Sequence, residues 1–271
     1  MFRLFLPSIS EKQNQIIIEG EKARYISVVL RCKTGDTLMV FDGKGNYFRT
    51  EIIKIDKKQV LANIIESIPV DTESNADIIL LQGILKGEKM DFVIQKATEL
   101  GVKEIIPIIT ERSQIKSTRK IDRWRKIAEE ASRQSERIIV PVIREPVNFP
   151  VFLKETGDKL VPVQAMDKEL KCGDVWTPEN REAGRNSGMT GLIFWEEEGM
   201  HLKEAVKYLK NSPLFLAIGP EGGFTRDEIL LANENGLIVT SLGKRILRAE
   251  TAAISAISII QYAIGDIGYP E

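Results

Sequence analysis

The segment from Leu214 to Glu228 constrains this chain more than any other. Five apolar residues, Leu214 to Ile218, run straight into Gly219-Pro-Glu-Gly-Gly223, and Thr225-Arg-Asp-Glu228 then has the spacing of a capping box. That box starts a helix by satisfying its first backbone donors, and the helix should run to about Gly236. Strand, glycine loop and helix in this order make the repeating unit of an open α/β sheet. Such sheets bind ligands beyond the carboxyl ends of their strands, where glycine lets the backbone come close and a helix N-terminus offers free N–H groups. A tight turn with a helix cap satisfies the same residues without any ligand.

The chemistry of the loop narrows the ligand. It has no Gly-Lys-Ser/Thr ending, and Glu221 stands where a polyphosphate would sit, which disfavours a phosphate cradle. Glycine amides beside a carboxylate suit a ligand with ribose hydroxyls, an adenine edge and a positive sulfonium, and S-adenosylmethionine is such a ligand. A second apolar run, Leu237 to Ser241, leads into Leu242-Gly-Lys-Arg-Ile-Leu-Arg248. Ile246 and Leu247 are apolar residues among cations, unfavourable in water unless they cover something flat and apolar. An adenine ring would serve, and so would packing against the next helix.

Elsewhere the chain divides by pattern. Gln15 to Glu19, Thr37 to Asp42, Tyr47 to Ile55 and Gln59 to Ile65 read as strands with hairpin turns at Asp42-Gly-Lys-Gly45 and Asp56-Lys-Lys58, a small barrel or sandwich. Glu21 to Arg31 interrupts them with helical spacing. The polar stretch Pro69 to Asn75 marks a boundary, giving a first domain over 1–70, a linker over 71–76 and a second domain over 77–271. Beyond it, Ile78 to Leu81, helix Met90 to Leu100 and strand Glu104 to Ile109 form a βαβ unit. Helix Ile121 to Ser135, strand Ile138 to Ile143, and short apolar runs at Leu160 to Ala165 and Leu192 to Trp195 extend a buried parallel sheet. Asp167 to Thr190 reads as a long polar surface loop, and Thr251 to Ile264 as a buried helix whose polar stripe is Ser255, Ser258 and Gln261.

Charge and cysteine usage exclude several classes. A net charge of -1 argues against bulk attraction to nucleic acid, yet Arg112 to Arg144 holds ten Lys/Arg against four Asp/Glu. Cys32, Cys172 and the lone His201 assemble neither a disulfide framework nor a metal site, so no metal is expected. The longest uncharged stretch, Thr251 to Gly265, is 15 residues and falls short of the roughly 20 that cross a bilayer, and no basic-then-apolar leader opens the sequence, which points to the cytoplasm.

Taken together, these residues resemble the SPOUT class of methyltransferases and, within it, the RsmE family, the 16S rRNA (uracil(1498)-N(3))-methyltransferases. The resemblance covers the whole chain. It rests on Val28-Val-Leu-Arg31 with Gly35, Asp42-Gly-Lys-Gly45, Gln95-Lys-Ala-Thr-Glu-Leu-Gly-Val102 with Pro107, and Glu111-Arg-Ser113. Ala131-Ser-Arg-Gln-Ser-Glu-Arg137, Trp195-Glu-Glu-Glu198, the Gly-Pro-Glu-Gly-Gly loop and Leu242 to Ala252 complete it. It implies an N-terminal PUA-like β-barrel that docks RNA, then an α/β domain with a C-terminal trefoil knot, a homodimer with cofactor pockets beside the interface, and 16S rRNA of the small ribosomal subunit as partner. General topology rules make knots essentially absent, so the knot comes from the resemblance alone. The polar stretch before Gly191 is longer than the family pattern, and the segment Lys22 to Tyr25 lacks the histidines family members often carry there.

Carried onto this sequence, the resemblance places S-adenosyl-L-methionine against Trp195, Gly219, Pro220, Glu221, Gly222, Gly223, Leu242, Gly243, Ile246 and Leu247. Methylating uracil N3 requires loss of its proton and spreads charge onto O2 and O4. Arg248 is the candidate to stabilise that charge, and Glu221 and Glu250 are candidate proton acceptors, each equally able to bind ribose or cap a helix. Arg31, Arg112, Arg119, Lys120, Arg123, Arg133 and Arg137 are candidate RNA contacts, which would position the substrate without reading its sequence. Two other readings remain: a non-catalytic docking protein, which predicts lost glycines where Gly219, Gly222, Gly223 and Gly243 all stand, and a related enzyme acting on ribose hydroxyls or tRNA.

Overall fold

A computed structural model describes residues 2–7, 9, 14–70, 72–156, 190–209 and 213–268. The run Leu160 to Ala165, the polar stretch from Asp167 to Met189 and Cys172 lie outside them. The chain forms two compact units, Met1–Glu73 with Glu129–Val140, and Ser74–Ala128 with Pro141–Glu271.

In the smaller unit, β1 (Phe2–Phe5), β2 (Gln15–Glu19), β3 (Thr37–Phe41), β4 (Tyr47–Ile55) and β5 (Gln59–Ser67) make one sheet in the order β1-β3-β4-β5-β2. Alternation along β2 and β4 buries Ile16, Ile18, Phe48 and Ile52, which join Leu38, Val40 and Val60 in a single core. β1 pairs in parallel with β3, an element the local pattern does not announce. The expected helix from Glu21 is split into α1 (Gly20–Arg24) and a π turn over Tyr25–Val29. Arg31 then takes a left-handed conformation, φ 55°, which reverses the chain and leaves its side chain exposed.

Residues 129–140 join this unit through main-chain bonds of Ile138 and Val140 with Gly45 and Gly43, through the Arg137 carbonyl, which accepts from Arg3, and through the Glu73 carboxylate. Glu73 Oε2 accepts from Arg137 at 2.8 and 3.1 Å, and its Oε1 accepts from the Ile138 and Ile139 N–H groups at 2.9 Å each. Arg137 is 2% exposed, and a buried cation needs such a partner. The sequence expectation of a strand over Ile138 to Ile143 is corrected here: only Val142–Ile143 is strand, because Pro141 lacks the N–H that a ladder requires.

The larger unit holds an all-parallel sheet in the order β11-β13-β10-β12-β6-β7-β8, with β9 pairing β7. Its strands are β6 (Ile78–Gly83), β7 (Glu104–Ile109), β8 (Val142–Ile143), β9 (Val147–Asn148), β10 (Thr190–Phe194), β11 (Met200–His201), β12 (Leu214–Ile218) and β13 (Leu237–Ser241). Helices are α2 (Lys89–Glu99), α3 (Ile121–Gln134), whose residues from Glu129 belong to the smaller unit, α4 (Phe149–Thr156), α5 (Leu202–Ala205), α6 (Arg226–Glu234) and α7 (Ala249–Ile264). Every residue of β12 is buried, as a central parallel strand covered on both faces demands. The chain order reverses between β6 and β12, the kind of switch point where loops diverge and leave a crevice.

After β13 the chain returns across the sheet, so that α7 packs on α2 and β12. Gln261, read from sequence as part of a polar stripe, is fully buried in this joint. Its amide donates to the Leu100 carbonyl at 2.7 Å and accepts from the Ser74 hydroxyl at 2.6 Å, while Tyr262 and Ile259 are exposed instead. No described helix is long and apolar enough to cross a membrane.

Candidate active site

The loops that follow β10, β12 and β13, together with the start of α7 and Lys89 of α2, enclose a cleft of about 570 Å³. The loop after β12 is shaped by its glycines and by Arg112. Gly223 adopts φ +69°, and a Cβ there would stand 2.6 Å from Glu196 Oε1, so only glycine brings this carboxylate against the backbone. Arg112, from the loop after β7, donates to the carbonyls of Gly222 and Phe224 at 3.2 and 3.3 Å. Gly222 faces this arginine and is not among the residues lining the cleft.

The capping box forms as its spacing requires. Thr225 Oγ1 accepts from the Glu228 N–H at 3.3 Å, and Glu228 Oε2 accepts from the Thr225 N–H at 2.9 Å. Glu228 Oε1 also accepts from the Glu111 N–H at 2.8 Å, so one buried side chain fixes both the helix start and the loop carrying Arg112. Replacing Thr225 by alanine should lower stability by roughly 0.5–2 kcal/mol, the cost of a lost N-cap, read as a shift in the urea midpoint. An unmoved midpoint would assign the cap to Glu228 alone.

Of the residues expected at the cofactor, Trp195, Gly219, Pro220, Glu221, Gly223, Leu242, Gly243, Ile246 and Leu247 line the cleft, and Arg248 and Glu250 line it with them. Ile246 is 84% exposed, so its apolar surface meets no protein partner that would account for it. The packing alternative for this residue therefore fails. Arg248 is the N-cap of α7, with extended backbone and an exposed side chain.

Glu221 Oε1 accepts from the Lys86 N–H at 3.1 Å and from Lys89 Nζ at 3.4 Å. Burial pushes its carboxyl up, but those two donors and its own N–H outweigh it and hold the group below the usual carboxylate range. Glu221 is thus a weak base, suited to holding a hydroxyl or a cation. Glu250 differs: its Oε2 is buried without a hydrogen bond and lies 4.0 Å from Lys89 Nζ. Lys89, Glu196 and Arg245 complete the charged lining, three cations against three carboxylates counting Glu221, Arg248 and Glu250.

The family model of the RNA methyltransferase domain matches residues 72–261, and that of the RNA methyltransferase PUA domain matches 18–65. A ribosomal RNA small subunit methyltransferase E of Buchnera aphidicola is 33% identical, the alignment covering 97% of this chain and 94% of the relative. The chain belongs to the ribosomal RNA small subunit methyltransferase E family. The family's Bacillus subtilis member is 30% identical over 90% of this chain and 89% of its own. The fold agrees with a solved family member from Neisseria gonorrhoeae bound to S-adenosylmethionine, at TM-score 0.80 and 30% identity, covering 98% of this chain and 99% of that one. A Legionella pneumophila methyltransferase, also solved with that cofactor, gives TM-score 0.78 and 33% identity over 98% and 99% of the two chains.

The expected RNA contacts are distributed unevenly. Arg31 and Arg133 lie in the smaller unit, Arg133 held by Glu130 and 6.0 Å from the centroid of Tyr25. Arg119 and Lys120 are exposed in the larger unit, as is Arg123, which pairs with Asp91 at 2.7 Å. Arg112 and Arg137 are taken up by the glycine loop and by Glu73 respectively. Sequence reasoning missed Lys89, Glu196 and Arg245 in the cleft lining and Gly83 behind the Gly219-Pro220 backbone, although Gly83 ends the strand that the apolar run Ile78 to Leu81 begins, where a close backbone approach leaves its mark.

Proposed function

We propose that this protein methylates N3 of uracil 1498 in 16S rRNA of the small ribosomal subunit, with S-adenosyl-L-methionine as methyl donor. The observation that carries this reading is the cleft itself, which the apolar Ile246 and Leu247 line together with Glu196, Glu221, Glu250 and the glycines Gly219, Gly223 and Gly243 at the carboxyl ends of parallel strands. The residues fit that cofactor. Ile246 and Leu247 offer a flat apolar cover for adenine, Gly219 and Gly223 let the main chain approach, and Glu221 with the unbonded Glu250 Oε2 can accept from hydroxyl or ammonium groups. When bound, the cofactor supplies an electrophilic methyl group on a positive sulfonium.

The protein's own part is to orient the base and to stabilise its charge. As uracil N3 loses its proton, negative charge grows on O2 and O4, and Arg248 at the mouth of α7 is the cation that meets it. Residues 1–70 serve as the RNA-docking domain, joined by 71–76 to a catalytic domain over 77–271. Arg31, Arg119, Lys120, Arg123 and Arg133 make phosphate contacts that position the RNA, whereas Arg112 and Arg137 have structural partners instead. The protein acts in the cytoplasm as a homodimer, for which the exposed Ile259 and Tyr262 of α7 offer apolar surface.

The test incubates the protein and methyl-labelled cofactor with small subunits lacking the modification, then maps the labelled nucleoside. Label at N3 of that uridine is expected; label in ribose, in tRNA or nowhere would overturn the assignment. Light scattering of the same preparation should give twice the chain mass.

A further inference from the structure

We propose that Lys89 is a positioning residue of the site: its ammonium group bridges Glu221 and Glu250 and helps hold the Glu221 carboxylate turned into the cleft. This rests on the cofactor reading above for its functional consequence, but its physical content stands on the protein alone. Lys89 opens α2 just beyond the end of β6, and its Nζ lies 3.4 Å from Glu221 Oε1 and 4.0 Å from Glu250 Oε2. The two carboxylates come from different segments, one from the loop after β12 and one from the first turn of α7. Two like charges converging on one partly enclosed space repel each other, and a cation between them offsets that repulsion. Lys89 is the cation in contact with both.

The geometry also explains how the two carboxylates differ. Glu221 spends Oε1 on the Lys86 N–H and on Lys89, which fixes its orientation, whereas Glu250 Oε2 is left without a hydrogen-bond donor. A ligand with hydroxyl or ammonium donors therefore meets one carboxylate that is already held in place and one that still lacks a bond. Lys89 has a side chain 40% exposed, long enough to follow both groups without being locked.

The sign of the effect is fixed by the direction of the Glu221 shift. Because its carboxyl is held low, the group stays ionised to a lower pH than a free glutamate, and anything that depends on that charge is lost only as pH falls through the depressed value. Lys89→Met removes the ammonium and keeps the length of the stem. The Glu221 titration should then move upward, while Lys89→Arg, which restores a cation, should bring it back toward the wild-type position.

Carbon-13 NMR of the glutamate carboxyls in the ligand-free protein reads this directly, with Glu221→Gln identifying the resonance. An upward shift in Lys89→Met that Lys89→Arg reverses supports the inference; an unmoved midpoint in a folded Lys89→Met protein overturns it. Calorimetric titration with S-adenosylmethionine supplies the second readout. Lys89→Met should weaken binding about tenfold, the worth of one charge-assisted hydrogen bond, and should lose affinity at a higher pH than the wild type. The loss should be less than additive with Glu221→Gln, because both act through one carboxylate. Full additivity would overturn the coupling. Failure of the wild type to bind the cofactor would instead sink the functional reading, leaving the NMR result to decide the role of Lys89.

Discussion

A Gly83→Ala protein is expected to fold and yet to bind S-adenosylmethionine at least about a hundredfold more weakly than the wild type, since misplacing a site by an ångström has consequences of that order. Gly83 ends β6, beside β12 at the point where the sheet order reverses. A Cβ on it would stand 2.3 Å from the Pro220 nitrogen and 2.7 Å from the Gly219 carbonyl carbon. Those are backbone atoms, so no side-chain rotation relieves the clash, and the Gly-Pro-Glu-Gly-Gly loop must move as a whole. Overpacking of this kind typically costs about 1–3 kcal/mol of stability, less than most domains possess, so the variant should remain folded by circular dichroism. Calorimetric titration then separates the two effects. Affinity within threefold of wild type would show that the approach of β6 to the loop does not shape the cleft.

That contact marks the boundary of what could be read from sequence. The capping box at Thr225 and Glu228, the apolar strand before it and the apolar residues at Ile246 and Leu247 are local patterns, legible because each is written in a few neighbouring residues. Lys89 meeting Glu221 and Gly83 meeting Pro220 are products of sheet order, which brings together segments more than a hundred positions apart. No spacing rule reports them. The same holds for β1, four residues whose parallel partner β3 begins at Thr37, and for residues 129–140, held to the smaller unit by Glu73 and by main-chain bonds to Gly43 and Gly45. Gln261 misled for a related reason. A polar residue on an apolar helix is expected to face water, but it can be buried once both ends of its amide find partners, here Leu100 and Ser74.

Replacing Arg248 by alanine should lower kcat by about 10²–10³-fold, the usual effect of removing one donor that meets developing oxyanion charge. The argument turns on where the side chain stands before any ligand arrives. Arg248 caps α7 with its backbone and makes no capping bond with its side chain, so the guanidinium is not spent on holding the fold, and it lines the cleft from an exposed position. Lys89, by contrast, is engaged with Glu221, and Arg112 with two carbonyls of the glycine loop. In the reaction we propose, charge on uracil O2 and O4 grows only as N3 loses its proton, so an interaction with those oxygens should appear in turnover and little in cofactor binding. Arg248→Lys should recover only part of the rate, because a point charge lacks the planar fork that can span two acceptors. Single-turnover methylation of small subunits, set beside calorimetric cofactor affinity, gives the two numbers needed. If affinity fell as far as the rate did, Arg248 would belong to the holding of the cofactor, and the stabilising cation would have to be sought at Arg245, the remaining arginine of the cleft wall.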